Sequence, residues 1–288
     1  MEKIRIGVDL GGSHVSIGAV NNQGTIIKQL EKDYTIEEKK DILNVAINYI
    51  TYAIIELKKE FDFNSFGLGM AGVIKNGIIM RSPNIDGAKN FEIKKILEEK
   101  TNMSVNVKND AICAAIAEYK FGHIKDYNNI IFLTLGTGIG GNIIYNGKIR
   151  EEEEYQELGH TIIKENGIKC KCGQNGCFER YGSILVFKKK VMERLNLPQN
   201  LDGPTLREHI RLNEDKIEDI KEEYINDIVL GLSILINRFN PDLIVLGGGF
   251  ARYDYLFLDK IQNRLKENVP IKVAELGNDA GIIGASIL

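Results

Sequence analysis

At 288 residues, with 43% hydrophobic residues, the chain is long enough for one large or two medium domains around a sizeable core. A net charge of −3 argues against a basic nucleic-acid-binding surface as its main business. Only 4 Cys exclude a disulfide framework, no run approaches the ~18 apolar residues of a membrane span, and residues 1–6 carry neither a signal core nor a transit composition, so a cytoplasmic protein is expected.

The pattern predicts a strand at 4–9 running into Asp9-Leu10-Gly11-Gly12-Ser13, then strands at 14–20 and 25–33. Ile42, Val45, Ala46, Tyr49, Ile50, Ala53, Ile54 and Leu57 fall at helical spacing and predict a long helix over 37–61. A strand at 65–70, a short helix at 91–100 and a strand at 104–108 follow. Asn109-Asp110 then opens a helix to about 122, in which Cys113 reads as a core residue. The pattern restarts with a strand at 129–135, Gly136-Thr137-Gly138-Ile139-Gly140-Gly141, a strand at 142–145, the turn Asn146-Gly147 and another short strand. Helices are predicted at 183–195, 205–212 and 215–239. A strand at 242–246 ends in Gly247-Gly248-Gly249, and a helix at 253–268, a strand at 271–274 and a helix at 280–288 complete the chain. This is an α/β architecture built from two similar halves. The charge runs at 151–154 and 188–190 read as solvated faces.

Gly136, Gly138 and Gly141 fit the dinucleotide pattern G-x-G-x-x-G, but a strand follows them where that motif needs a helix. No P-loop run exists. Each Gly turn alone reads as an ordinary hairpin. Two at matching places, with Gly247-Gly248-Gly249 after a third strand, point to backbone N–H groups that cradle phosphates. Asp9 at such a turn suits Mg²⁺ bridging phosphates. Asn109-Asp110 reads both as a helix cap and as a cap beside a general base, Asp110, kept ionised by the helix N-terminus.

His160 followed by Cys170, Cys172 and Cys177 is a tetrahedral zinc set. Glu157 and Glu179 flank it. The reading stays open between a structural zinc ribbon with solvated carboxylates and a built site beside the metal.

Taken in order, these motifs resemble the ROK family (repressors, open reading frames and kinases) of the actin-like ATPase superfamily, over nearly the whole chain. The resemblance implies a two-lobed actin-like ATPase (ribonuclease H-like) fold with mixed sheets and a zinc-bound loop. It divides the chain into a small lobe of 1–118 plus about 277–288 and a large lobe of 119–276. Asp9, Gly11, Gly12 and Ser13 correspond to the first phosphate motif, Gly136, Thr137 and Gly138 to the second, and Gly247, Gly248 and Gly249 to the adenosine motif. The implied reaction is ATP-dependent phosphorylation of a hexose 6-hydroxyl, with Asp110 as base and Asn84, Asn109, Glu157, His160 and Glu179 as sugar contacts. His160, Cys170, Cys172 and Cys177 would hold a structural Zn²⁺, and His160 would turn its second nitrogen to the sugar. A homodimer with no nucleic-acid or membrane partner is implied as well. Ser13 stands where Thr is usual, and Pro83-Asn84-Ile85-Asp86-Gly87-Ala88 lacks the second Pro and the Trp frequent in family glucokinases. Glucose is therefore the first expectation, with allose, mannose, N-acetylmannosamine or a β-glucoside as alternatives. Only eight residues precede Asp9, too few for the DNA-binding helices of the family's repressors.

Overall fold

The computed structural model describes residues 3–82, 85, 87–150, 152 and 157–288. These form two compact units, Met1–Lys125 with Asn278–Leu288, and Asp126–Gly277.

The first unit opens with β1 (Arg5–Leu10), β2 (His14–Val20) and β3 (Ile26–Asp33), followed by helix α1 (Ile42–Lys58). β4 (Ser65–Met70), the hairpin β5 (Val73–Lys75) and β6 (Ile78–Arg81), helix α2 (Ile93–Thr101), β7 (Ser104–Asn109) and helix α3 (Asp110–Phe121) come next. Its main sheet has the order β3-β2-β1-β4-β7. The first three strands are antiparallel neighbours, and β1, β4 and β7 run parallel. Ile6, Val8 and Leu10 are buried, as are Val15, Ile17 and Ala19, so both inner strands feed the core. β3 alternates half-buried with exposed residues and carries Lys28, Glu31 and Lys32, as suits a sheet edge. α1 covers the sheet with the stripe Ile42, Leu43, Ala46, Ile47, Ile50, Ala53, Ile54 and Leu57. It starts later than its periodicity predicts. Residues Glu38–Lys40 form a separate 3₁₀ turn, and Asp41 at φ −146° breaks the helical path.

The second unit repeats this plan with β8 (Ile130–Leu135), β9 (Ile139–Tyr145) and β10 (Lys148–Ile149). Helices α4 (Glu179–Gly182), α5 (Ile184–Arg194), α6 (Gly203–Leu212) and α7 (Glu218–Phe239) follow, then β11 (Leu243–Gly247), α8 (Asp254–Arg264) and β12 (Ile271–Val273). The order β10-β9-β8-β11-β12 has the same directions as the first sheet. The duplication read from the two Gly turns is thus a duplication of sheets. β9 begins three residues before its predicted start, because Gly140 and Gly141 pair with Thr134 and Leu133 as strand residues. Phe178, Phe187, Tyr224, Phe250 and Phe257 fill this unit's core, with Phe187 and Phe257 edge-to-face at 4.9 Å.

The chain then returns to the first unit with α9 (Ala280–Ala285), which packs on β1, β4 and α3. The approach is at backbone distance. A Cβ at Gly7 would overlap the Ile282 carbonyl oxygen, one at Gly67 the Ala285 carbonyl oxygen, and one at Gly284 the Cys113 carbonyl oxygen. Among the described residues no helix is long and apolar enough to cross a membrane.

Gly67→Ala forces α9 off the sheet. We expect it to destabilise the protein by about 2–3 kcal/mol, read as a lower urea midpoint. An unchanged midpoint would mean that the contact with α9 is not tight.

Candidate functional site

In the first unit, β1 delivers Asp9 at its C-terminal end and the chain turns through Gly11–Ser13 into β2. The Gly11 N–H donates to the His14 carbonyl at 3.0 Å, and the Tyr34 N–H donates to the Ser13 carbonyl at 2.9 Å. The Ser13 hydroxyl lies 3.0 Å from His14 Nδ1. β7 ends at Asn109, whose extended backbone makes it the cap of α3. Its Oδ1 accepts from the N–H groups of Ala111 at 2.9 Å and Ile112 at 3.3 Å, and its Nδ2 donates to the Gly72 carbonyl at 3.0 Å. With Asn109 capping, the Asp110 carboxylate accepts from the Ala111 N–H at 2.9 Å through Oδ1 and also interacts with its own N–H.

Burial pushes the Asp110 carboxyl up, outweighing the lowering effect of the Ala111 and Asp110 N–H groups. Burial, and then the charge of Asp110, push Asp9 up to about 7. Gly281 on α9 completes the wall, since a Cβ there would come within 2.6 Å of Asp9 Oδ2. The Tyr34 hydroxyl is buried without a hydrogen-bond partner among the described residues, and it is pushed up by burial and by Asp9. Neither Gly281 nor Tyr34 carries a local sequence signal.

In the second unit, Gly136–Gly138 form the turn between β8 and β9. The Gly136 N–H donates to the Gly138 carbonyl at 2.9 Å, and the Leu185 N–H of α5 donates to the Gly136 carbonyl at 3.1 Å. Thr137 is the exposed tip of this turn. Gly247 ends β11, and Gly248, at φ +68°, opens a 3₁₀ turn to Arg252. A Cβ on Gly249 would lie 3.4 Å from the Leu135 carbonyl and 3.9 Å from Gly136 Cα, so the second and third Gly turns are contiguous. Glu179, the first residue of α4, accepts from the Ile139 N–H at 3.0 Å through Oε2, and only Gly at 138 leaves room for that carboxylate.

Glu179 also ties this turn to the cysteine cluster two residues before it. The donor atoms of His160, Cys170, Cys172 and Cys177 lie within 4.8 Å of one another. The Sγ atoms of Cys172 and Cys177 are 3.5 Å apart, and Cys170 Sγ is 3.6 Å from His160 Nδ1. Metal–sulfur bonds of about 2.3 Å and metal–nitrogen bonds of about 2.0 Å at the tetrahedral angle require roughly 3.8 and 3.6 Å, so the four donors fit a zinc ion. Backbone hydrogen bonds hold the loop: Cys170 N–H to the Gln174 carbonyl at 2.8 Å, and Phe178 N–H to the Thr161 carbonyl at 2.8 Å. Burial pushes Cys177 up to about 12, so a cation is what would keep it a thiolate. His160 Nε2 sits 3.2 Å from Glu157 Oε2. The second nitrogen, expected to face the sugar, meets the Glu157 carboxylate in this structure, the usual way a ligating imidazole is oriented. Asn84 lies outside the described residues. The remaining site residues fall into two sets: Asp9, Gly11–Ser13, Asn109 and Asp110 in the first unit, and the rest in the second.

The ROK family model matches residues 5–288. This chain belongs to the ROK family. It is 28% identical to a glucokinase of Thermotoga maritima, covering 99% of this chain and 97% of that one. It is 29% identical to a xylose repressor of Bacillus spizizenii, covering 98% of this chain and 73% of the repressor. Among solved structures, it resembles a ROK family glucokinase from Streptomyces griseus in complex with glucose and AMPPNP. That match has a TM-score of 0.84 and 27% identity, covering 99% of this chain and 98% of the other.

The Asp9 carboxyl gives a pH signature. Its value when folded, about 7, exceeds the ordinary 3.8, so the folded state holds the proton more tightly. In metal-free buffer the resulting stabilisation is complete below the ordinary value and is lost as pH rises through the folded one. Asp9→Asn is expected to flatten the fall in urea midpoint across that window and to exceed wild type in stability at ~pH 8. A decline matching wild type would show that another group causes it.

Proposed function

We propose that this ROK protein is an ATP-dependent hexokinase that transfers the γ-phosphoryl group to the 6-hydroxyl of a hexose, glucose first. The observation that carries the reading is the full-length likeness to a glucokinase solved with glucose and an ATP analogue, in a chain that places Asp110 at the start of α3 beside a capping Asn109. The T. maritima glucokinase supports the same reading.

Asp110 accepts the proton of the 6-hydroxyl as that oxygen bonds to the γ-phosphorus, and the bond from phosphorus to the leaving ADP oxygen breaks. A carboxyl raised by burial is a better proton acceptor than an ordinary surface Asp. Asn109 is the proposed hexose contact of the first unit, Glu157, His160 and Glu179 are those of the second, and Asn84 is a further one. The N–H groups of Gly11–Ser13, Gly136–Gly138 and Gly247–Gly249 receive the nucleotide. Asp9 and Asp110 are two desolvated carboxyls, and the charge of Asp110 pushes Asp9 up further, which fits a place for Mg²⁺. When bound, Mg²⁺ neutralises phosphate charge. Zinc held by His160, Cys170, Cys172 and Cys177 would be structural, because four protein donors would leave it no open position, and it would fix the imidazole ring. We place the protein in the cytoplasm as a homodimer without nucleic-acid partners. Its four free thiols suit a reducing compartment.

ADP release with ATP and Mg²⁺ is measured against glucose, allose, mannose, N-acetylmannosamine and a β-glucoside. Turnover is expected with glucose. Asp110→Asn should lose it by ~10²–10⁴-fold while sugar binding persists. Sugar binding without turnover in the wild type would favour a sugar-responsive regulator; one of its relatives is a xylose repressor.

Cys172→Ser is expected to abolish zinc in elemental analysis and to raise the hexose KM about 10–100-fold, with a smaller change in kcat. A verified zinc-free protein with wild-type KM would break the link between metal and sugar.

A further inference from the structure

The outer edge of the first sheet carries a second set of metal-type donors. One ligand atom each from His14, Glu31 and Asp33 lies within 4.8 Å of the other two. The sheet register explains the gathering. His14 on β2 is the direct cross-strand partner of Asp33 on β3. Glu31 stands two residues before Asp33, so strand alternation puts both carboxylates on one face. Both are exposed, and His14 is half-buried. Two like charges thus converge, and among the described residues neither carboxylate has an ion pair. Lys32, between them in sequence, points to the other face and is committed to Glu38 at 2.7 Å. Carboxylates that converge without a counter-charge repel one another, and a cation between them removes that cost.

The imidazole is already oriented. The Ser13 hydroxyl lies 3.0 Å from Nδ1, which leaves Nε2 as the nitrogen for a metal, and a ligating His is usually held through its other ring nitrogen in this way. Metal–nitrogen and metal–oxygen bonds of about 2.0–2.2 Å set donors up to about 4 Å apart across one ion. The exposed carboxylates can close the small remaining distance by side-chain rotation. The donor set narrows the ion. Mg²⁺ and Ca²⁺ prefer oxygen alone, whereas an imidazole with two carboxylates suits a borderline divalent metal such as Zn²⁺.

We propose that His14, Glu31 and Asp33 form a second divalent-metal site, on the β2–β3 edge of the first unit, for a borderline metal such as Zn²⁺. It goes beyond the kinase reading and does not depend on it. Asp9, Ser16 and Glu31 stand in one row across β1, β2 and β3, so strand spacings of about 4.8 Å put the Glu31 backbone about 10 Å from that of Asp9. The site is therefore separate from the Asp9–Asp110 pair, yet it adjoins the Gly11–Ser13 turn, whose Gly11 N–H donates to the His14 carbonyl. An ion bound there fastens that turn to β3. With three protein donors it keeps a position open to water, unlike the four-donor cysteine set.

The full-length protein, loaded with zinc and dialysed, is titrated calorimetrically with Zn²⁺. One saturable equivalent is expected beyond the zinc retained by the cysteine loop. His14→Gln, Glu31→Gln and Asp33→Asn should each weaken it about tenfold or more, at least the cost of losing an outer-shell partner. Excess Mg²⁺ should not displace it. Amide hydrogen exchange at Gly11–Ser13 should slow on filling in the wild type and not in His14→Gln. No further equivalent, or one that all three variants keep at wild-type affinity, overturns the site, as does a loss in His14→Gln alone. Displacement by Mg²⁺ overturns the choice of metal. Glu31 and Asp33 are exposed, so their variants decide the matter even if His14→Gln fails to fold. Cys172→Ser should keep this equivalent while losing the other, which keeps a failure here distinct from a failure at the cysteine loop. No turnover is read, so the kinase reading stands or falls apart from it.

Discussion

A helix laid on a sheet at backbone contact sets the geometry of the first unit. Most helices ride on side chains, with axes kept apart by Leu- and Ile-sized spacers. α9 has no such spacer where Gly7 and Gly67 face the carbonyls of Ile282 and Ala285. The same helix meets α3 through Gly284 at Cys113. Both carboxylates of this unit's site are positioned from that one element: Asp9 through β1 and Gly281, and Asp110 through α3. Their mutual charge and shared desolvation follow from being held so near. Cys113, whose thiol burial pushes well up, is a spacer in this packing and not a nucleophile.

The second unit solves a different problem, that of holding flexible turns still. Gly136–Gly138 is anchored three ways, by its own internal hydrogen bond, by Leu185 and by Glu179. Because Glu179 begins α4 directly after Cys177-Phe178, the cysteine loop and the Gly turn are braced against one another. The Glu179 carboxylate therefore fixes backbone through the Ile139 N–H. Glu157 does the corresponding work for His160.

Much of this was legible because the signals are local. The strands of both sheets announce themselves by apolar runs ending in Gly or Asp, and the zinc set by its spacing. Asn109 was legible as a cap because its chemistry acts on the next three residues. The β5–β6 hairpin went unread although Asn76-Gly77, both at positive φ, is its turn. The signal was present and the flanking strands were too short to alternate convincingly. Gly281 beside Asp9 was not legible, since 272 positions of chain separate two residues that only the return of α9 brings together. Lys188 misled for a related reason. Next to Lys189 and Lys190 it looks solvated, and only the packing of α5 against Tyr253 turns it inward.

The return of α9 also orders events in time. Asp126–Gly277 is continuous and carries its own core, so it can gather as soon as it leaves the ribosome. The first unit, though begun earlier, lacks the helix that walls Asp9 and seats α3 until Ala280–Ala285 emerges. Its long-range contacts are entropically the costliest to close. α9 thus acts as a latch on much earlier chain, and a product lacking it would retain its Gly136 turn and cysteine loop while losing the wall that sets its two carboxylates.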